Sequence, residues 1–177
     1  YTGRIPPQGS SLIVQFYVEA EDALGAVSAF PAAGIDSRAL YKVEDGQARG
    51  GEIHDFRIIM TTADADFLHT DTNVMSNDRL GATAVYREEE VFYDVGCRLK
   101  GSERGRMGGS RVSFNVQFQP DARFRGTHSS VSFDRAGGWG LGAGPNGQDE
   151  IIVKHAIHRA GLPGMYDDLA WLIAPRS

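Results

Sequence analysis

Apolar and polar residues alternate with a period of two along most of the chain and shift to a helical period in two short places. "SLIVQFYVEAEDALG" (11–25) opens with an apolar run and then alternates, with Val14, Phe16, Val18 and Ala20 on one face, which predicts a strand closed by a turn at Gly25. "FPAAGIDSRALYKV" follows as a connection broken by Pro and Gly and a short strand ending near Val43, and "EDGQARGGE" (44–52) has the composition of a linker. "IHDFRIIM" predicts a strand, and "TTADADFLHT" a short helix near 62–69, capped by Thr61 or Thr62 with Asp64 and Asp66 in its first turn.

"LGATAVYREEEVFYDVGCRLKG" predicts a hairpin whose tip, Arg87 to Glu90, stays in water. In its second strand Val91, Tyr93, Val95, Cys97 and Leu99 share one face, and Asp94, Arg98 and Lys100 the other. Alternation resumes in "SRVSFNVQF", where Val112, Phe114, Val116 and Phe118 oppose Arg111, Ser113, Asn115 and Gln117. "SSVSF" adds a strand before the glycine-rich "DRAGGWGLGAGPNGQ". The main helix is "DEIIVKHAIHRAG", about 149–160, with Ile152, Val153, Ala156, Ile157 and Ala160 as its apolar stripe and Gly161 and Pro163 as its stop. "LPGMYDDLAWLIAP" predicts a turn and a last strand with Leu169, Trp171 and Ile173 facing inward. The expected class is therefore α+β and β-rich, with antiparallel sheets, one main helix and one short one.

A chain of 177 residues builds a core without a metal or disulfide. Its one cysteine, Cys97, excludes a disulfide framework and reads as a packed, inert thiol. No run approaches the 18 apolar residues of a membrane span. The net charge of -5 hides an asymmetry: residues 98–125 hold 7 Lys/Arg against 2 Asp/Glu, whereas residues 1–97 hold 7 against 16. Such an island invites a phosphate or another anion. It is too small and too poor in accompanying aromatics for nucleic acid. The opening at Tyr1, with neither methionine nor a leader-like segment, suggests an excised or processed piece of a longer protein.

Several constellations carry chemistry on paper only. No GxSxG elbow occurs, and His128, Ser129 and Ser130 are a strand entry rather than a triad. His155 and His158 lack the HExxH arrangement and a third ligand; Asp167 and Asp168 point to opposite faces if extended. The glycines of "GWGLGAG" lack a sharp strand-loop-helix setting, so they read as a plain loop. Glu150 and Lys154 form an i,i+4 pair; the sharper reading has Glu150 hold a cation of the strand surface. If the two strands of the basic stretch are neighbours, Arg98, Lys100 and Arg111 line one polar surface.

From about Asp55 to Pro175 the chain resembles the spore-coat-protein-H-like (CotH) family of atypical secreted protein kinases. The resemblance rests on "FRIIMTTADADFL", "VGCRLKGS", "SRVSFNVQF", "RFRG" and "GQDEIIVKHAIHRAGLPGMYDDLAWLIAP", in that order. It implies a kinase-like lobe, a curved antiparallel sheet with one packed helix, that binds ATP and Mg or Mn in the full-length parent. Carried over, Arg98 to Ser102 match the strand end, Ser113 and Phe114 the serine-aromatic strand, and Glu150 the helix glutamate; the implied nucleotide-binding set is Arg98, Lys100, Ser102, Arg111 and Glu150. Family members place lysines before the serine-aromatic pair where this chain has Arg111 and Val112, and an arginine does not copy a lysine's compact contact. The family's metal-binding carboxylates and catalytic loop lie past the last strand, so no catalytic residue or metal ligand is assigned, and this piece is expected to bind nucleotide at most.

"VQFYVEAEDALGAVSAFP" resembles the last strands of bacterial immunoglobulin-like or fibronectin-III-like modules, which divides the chain into 1–46 and a kinase-like region, 47–177. The resemblance implies an extracellular or cell-surface bacterial protein. The alternatives are a noncatalytic module that binds a glycan or a protein through Trp139 and, behind it, a small extracellular hydrolase.

Overall fold

The computed structural model describes residues 2–48, 50–103, 106, 112–135 and 147–175, with side chains of the last segment from residue 150 onward. In chain order these form β1 (Ile13–Gln15), β2 (Val18–Glu21), β3 (Val27–Phe30), β4 (Leu40–Lys42), β5 (His54–Ile59), α1 (Thr62–Leu68), β6 (Leu80–Tyr86), β7 (Glu90–Lys100), β8 (Ser113–Gln117), β9 (Ser130–Phe133), α2 (Gly147–Arg159) and β10 (Ala170–Ile173). The β-rich α+β expectation holds. One six-stranded sheet has the order β10-β5-β6-β7-β8-β9, and β1-β4 and β2-β3 are separate two-stranded pairs. The sheet is antiparallel except at one edge, where β10 runs parallel to β5.

The predicted first strand, 11–25, is two strands with different partners, because the chain breaks its extended run between Gln15 and Val18. Helix α1 begins as its sequence demands: the Thr61 hydroxyl accepts from the Asp64 backbone N–H at 3.1 Å and donates to the Asp64 carboxylate at 2.8 Å.

Alternation places Phe56 and Ile58 of β5, Ala82 and Ala84 of β6, Val95, Cys97 and Leu99 of β7, and Phe114 and Val116 of β8 on one buried face, closed by Ala65 and Leu68 of α1 and by Val74. Phe92, Phe118 and Phe124 add a ring cluster at one end, with Phe118 and Phe124 stacked at 5.7 Å. The predicted face of β7 is correct from Val95 onward and inverted before it. Ala82 faces Val95 and Ala84 faces Phe92, so two residues, Tyr93 and Asp94, oppose the single Thr83. Asp94 takes the left-handed conformation at φ 52, and this bulge flips the strand. Phe92 therefore packs on the core, Val91 is exposed, and Tyr93 turns to Phe16 and Phe30 on the opposite side.

On that opposite side Ile13 and Leu40 cover Ile59 and Val85. Asp94 accepts both from the Ser37 hydroxyl at 3.0 Å and from the Arg38 backbone N–H, while the Leu40 N–H donates to the Thr83 hydroxyl at 2.9 Å. The expected linker is tied down at its start: Arg57 of β5, almost fully buried, grips Asp45 with two nitrogens at 2.7 and 3.3 Å and Glu88 of the hairpin tip at 2.8 Å. The tip expected to stay wholly in water thus contributes one carboxylate to a buried arginine.

The last two elements depart from expectation in their faces. In α2, Ile152, Val153, Ala156 and Ala160 of the predicted stripe are exposed, and only Ile157 is half-buried. The helix is fastened instead through Lys154, which bridges Glu150 at 2.8 Å and Asp167, and through His158, which meets the Met165 carbonyl at 3.2 Å. Leu169, just before β10, and Trp171 within it are exposed, while Leu172 packs on the main core and Ile173 is buried as expected.

The Arg57 side chain holds the Asp45 carboxyl down at about 2, below its ordinary 3.8. A folded-state pKa below the unfolded value gives stability that is complete above about pH 4 and lost as pH falls through about 2, worth at most about 2 kcal/mol. Acid titration of unfolding free energy is expected to show this loss in the wild type and a flatter curve over that window in Asp45→Asn. Truncating Asp94→Ala leaves the Ser37 hydroxyl and the Arg38 N–H without their charged acceptor and is expected to cost about 2 kcal/mol in urea unfolding, with Asp94→Asn intermediate.

Candidate anion-binding surface

The bulge leaves Gly96, Arg98 and Lys100 of β7 on the polar face, where Arg98 pairs in register with Asn115 and Lys100 with Ser113 of β8. Gly96 is opposite Gly81 of β6, and each glycine makes room for an arginine. A Cβ on Gly96 would stand 2.8 Å from Cδ of Arg79, and one on Gly81 would stand 2.6 Å from Cγ of Arg38. Arg79 can therefore lie flat across β7 and reach β8. Its Nη1 donates to the Gly96 and Asn115 carbonyls at 3.2 and 3.3 Å, and its Nη2 to the Asn115 side-chain oxygen at 2.6 Å. Asn115, itself buried, is fixed from behind by its amide donating to the Ser132 hydroxyl at 2.9 Å.

A second arginine comes from beyond the end of β7. Arg106 is buried and donates to the carbonyls of Gly101 and Ser76, both at 2.8 Å, and to the Asn77 side-chain oxygen at 3.0 Å. That same Asn77 oxygen accepts from Arg98 at 3.2 Å, and Arg98 also donates to the Leu99 carbonyl at 3.1 Å. Three guanidiniums, Arg79, Arg98 and Arg106, are thus held by asparagines and backbone carbonyls. Among the described residues, the ion pairs made by arginine belong to Arg38 and Arg57, and none of these three is matched by a carboxylate. Burial pushes Arg79 below its ordinary value, and the charge of Arg98 pushes it further. Among the described residues Arg98 uses only Nη1 in these bonds, and its Nε and Nη2 carry three further hydrogens that can meet a ligand.

Lys100, the remaining cation of the face, meets Asp134 just beyond β9 at 2.6 Å. Beside it the Ser113 hydroxyl accepts from the Arg135 backbone N–H at 3.0 Å. A polar strip that presents Arg79, Arg98 and Lys100, with the buried Arg106 joined to Arg98 through Asn77, can receive a polyanion, whose oxygens match the forked guanidinium.

Of the predicted set, Arg98 and Lys100 lie together on this strip, and Ser102 is exposed near it, its carbonyl accepting from the Arg106 N–H at 3.0 Å. Arg111 and Trp139 fall outside the described residues, as does the "GWGLGAG" loop. Glu150 is paired with Lys154, the helical neighbour, and Lys154 in turn with Asp167. Cys97 is fully buried with its thiol pushed up to about 12 by that burial, as an inert packing residue should be. Asp168 meets His54 at 3.2 Å just ahead of β10. Asn77, Arg79 and Arg106 lie outside the set expected from the sequence. The signal for Arg79 was Gly96, a glycine inside a strand, which marks the close approach of another group.

Comparison of the chain with models of protein families, with curated proteins and with solved structures finds no match.

Filling the slot over β7 tests this geometry. Gly96→Ala forces Arg79 off Asn115 and is expected to cost about 1–3 kcal/mol in denaturant unfolding. In a double-mutant cycle with Arg79→Ala the two losses should fall well short of adding, since both remove the same contact.

Proposed function

We propose that the chain is part of a CotH-like atypical protein kinase of the bacterial cell surface or exterior, and that its basic strip holds the phosphates of ATP. One observation carries this reading: Arg79 and Arg98 meet on one polar strip, Arg98 shares Asn77 with the buried Arg106, and among the described residues none of the three is paired with a carboxylate. The order of elements supports it, since an antiparallel meander, β5 to β9, precedes a helix, although the apolar stripe of α2 is mostly exposed where the resemblance implies a packed helix. Phosphoryl transfer depends on positioning and on neutralising developing charge, and a strip of fixed guanidiniums supplies both for a phosphate chain. Mg or Mn would add charge neutralisation in the parent kinase. Among the described residues no group of three or more His, Cys, Asp or Glu side chains could hold that metal. These residues would act on the phosphates, and the chain by itself would bind nucleotide without turning it over.

The measurement is thermal unfolding with ATP and Mn²⁺. A ligand present at 100 times its Kd stabilises by about 2.7 kcal/mol, a rise of several degrees for a domain of this size. Arg98→Ala is expected to abolish most of the rise. An unchanged melting temperature at millimolar ATP would sink the reading.

A further inference from the structure

The strip is not uniformly open. Arg98 and Lys100 are two residues apart on one strand, so their positions are separated by about 7 Å, more than one phosphate group bridges. Among phosphate ligands, one that uses both must be an oligophosphate chain. Its place at Lys100 is already taken by the Asp134 carboxylate at 2.6 Å. Resting on the reading of the strip as a phosphate site, we propose that Asp134 is an internal counter-ion that an oligophosphate must displace from Lys100, and so sets which anions the strip accepts.

The surroundings favour exchange over a permanent pair. Asp134 is 58% exposed and Lys100 35%, so water screens the contact and solvates whichever partner is released. The neighbouring backbone is anchored separately, by the Arg135 N–H on the buried Ser113 hydroxyl at 3.0 Å, so the carboxylate can swing away without unzipping β9. Among the described residues Asp134 pairs with Lys100 alone, whereas a phosphate chain would also meet Arg98 and Arg79. A multiply charged ligand with several contacts outcompetes a single carboxylate, and a singly charged one does not.

Exposed ion pairs hold with an advantage of at most about fivefold, so freeing Lys100 should tighten binding by about two- to sixfold. The experiment is calorimetric titration of the whole chain with inorganic tripolyphosphate and, separately, with orthophosphate. Asp134→Asn is expected to tighten tripolyphosphate binding by that factor and to leave orthophosphate unchanged, and the gain should vanish in Lys100→Ala/Asp134→Asn relative to Lys100→Ala. Three results would overturn the proposal: no gain in Asp134→Asn, a gain that persists without Lys100, or an equal gain for orthophosphate. If tripolyphosphate fails to bind the wild type, or binds Arg98→Ala equally well, the phosphate reading of the strip fails with it.

Discussion

The bulge at Tyr93 and Asp94 is the constraint on which the rest of the sheet depends. It lets one long strand serve two different surroundings, giving Phe92 to the aromatic cluster on one side of the break and Val95, Cys97 and Leu99 to the core on the other. In a regular strand Phe92 and Val95, three residues apart, would lie on opposite faces, and either the aromatic cluster or the Cys97 layer would be turned into water. The left-handed Asp94 that makes the break possible is one of the few residue types that adopts that conformation at modest cost. Its carboxylate then holds Ser37 and Arg38, so the strain of the bulge and the docking of the N-terminal strands are offset at one residue.

Beyond the bulge, paired glycines decide what the polar face can carry. Gly81 and Gly96 sit opposite each other, and the missing side chains form two shallow slots filled lengthwise by Arg38 and Arg79. Arg38 ends on Asp64 at 2.9 Å and closes the half of the face covered by Ile13 and Leu40. Arg79 ends on Asn115 and begins the half that stays open. The boundary between a covered and an exposed half of one sheet is therefore drawn by two adjacent arginines with different partners.

Local pattern carried the elements well and their faces unevenly. The helix cap at Thr61, the strands β5 to β9 and the buried row of Phe114 and Val116 follow from period and capping chemistry, because these depend on near neighbours. The bulge broke the inference at Val91 and Tyr93, since alternation has no means of announcing an inserted residue. The stripe of α2 misled for another reason: most of its apolar residues are exposed while Lys154 bonds Asp167 as well as Glu150, and a carboxylate 13 residues away is invisible to helical periodicity. At the site, Arg98 and Lys100 were legible as strand neighbours. Arg79 and Arg106 were not, because they lie just before β6 and beyond β7 and meet Arg98 through Asn115, its register partner, and through the shared Asn77.

The chain's arginines show how partner chemistry separates structure from recognition. Arg57 is buried and gripped by Asp45 and Glu88, so its charge is spent inside the fold, and removing either carboxylate would strand it. Arg79, Arg98 and Arg106 are held just as firmly in space, but by carbonyls and amides that fix geometry without cancelling charge. Mutual repulsion between Arg79 and Arg98 lowers the stability of that arrangement in the free protein. A carboxylate in place of Asn77 or Asn115 would have removed the repulsion at no cost in size. An asparagine at both positions keeps the guanidiniums aimed and the field positive, and a bound polyanion would relieve a repulsion the fold leaves in place.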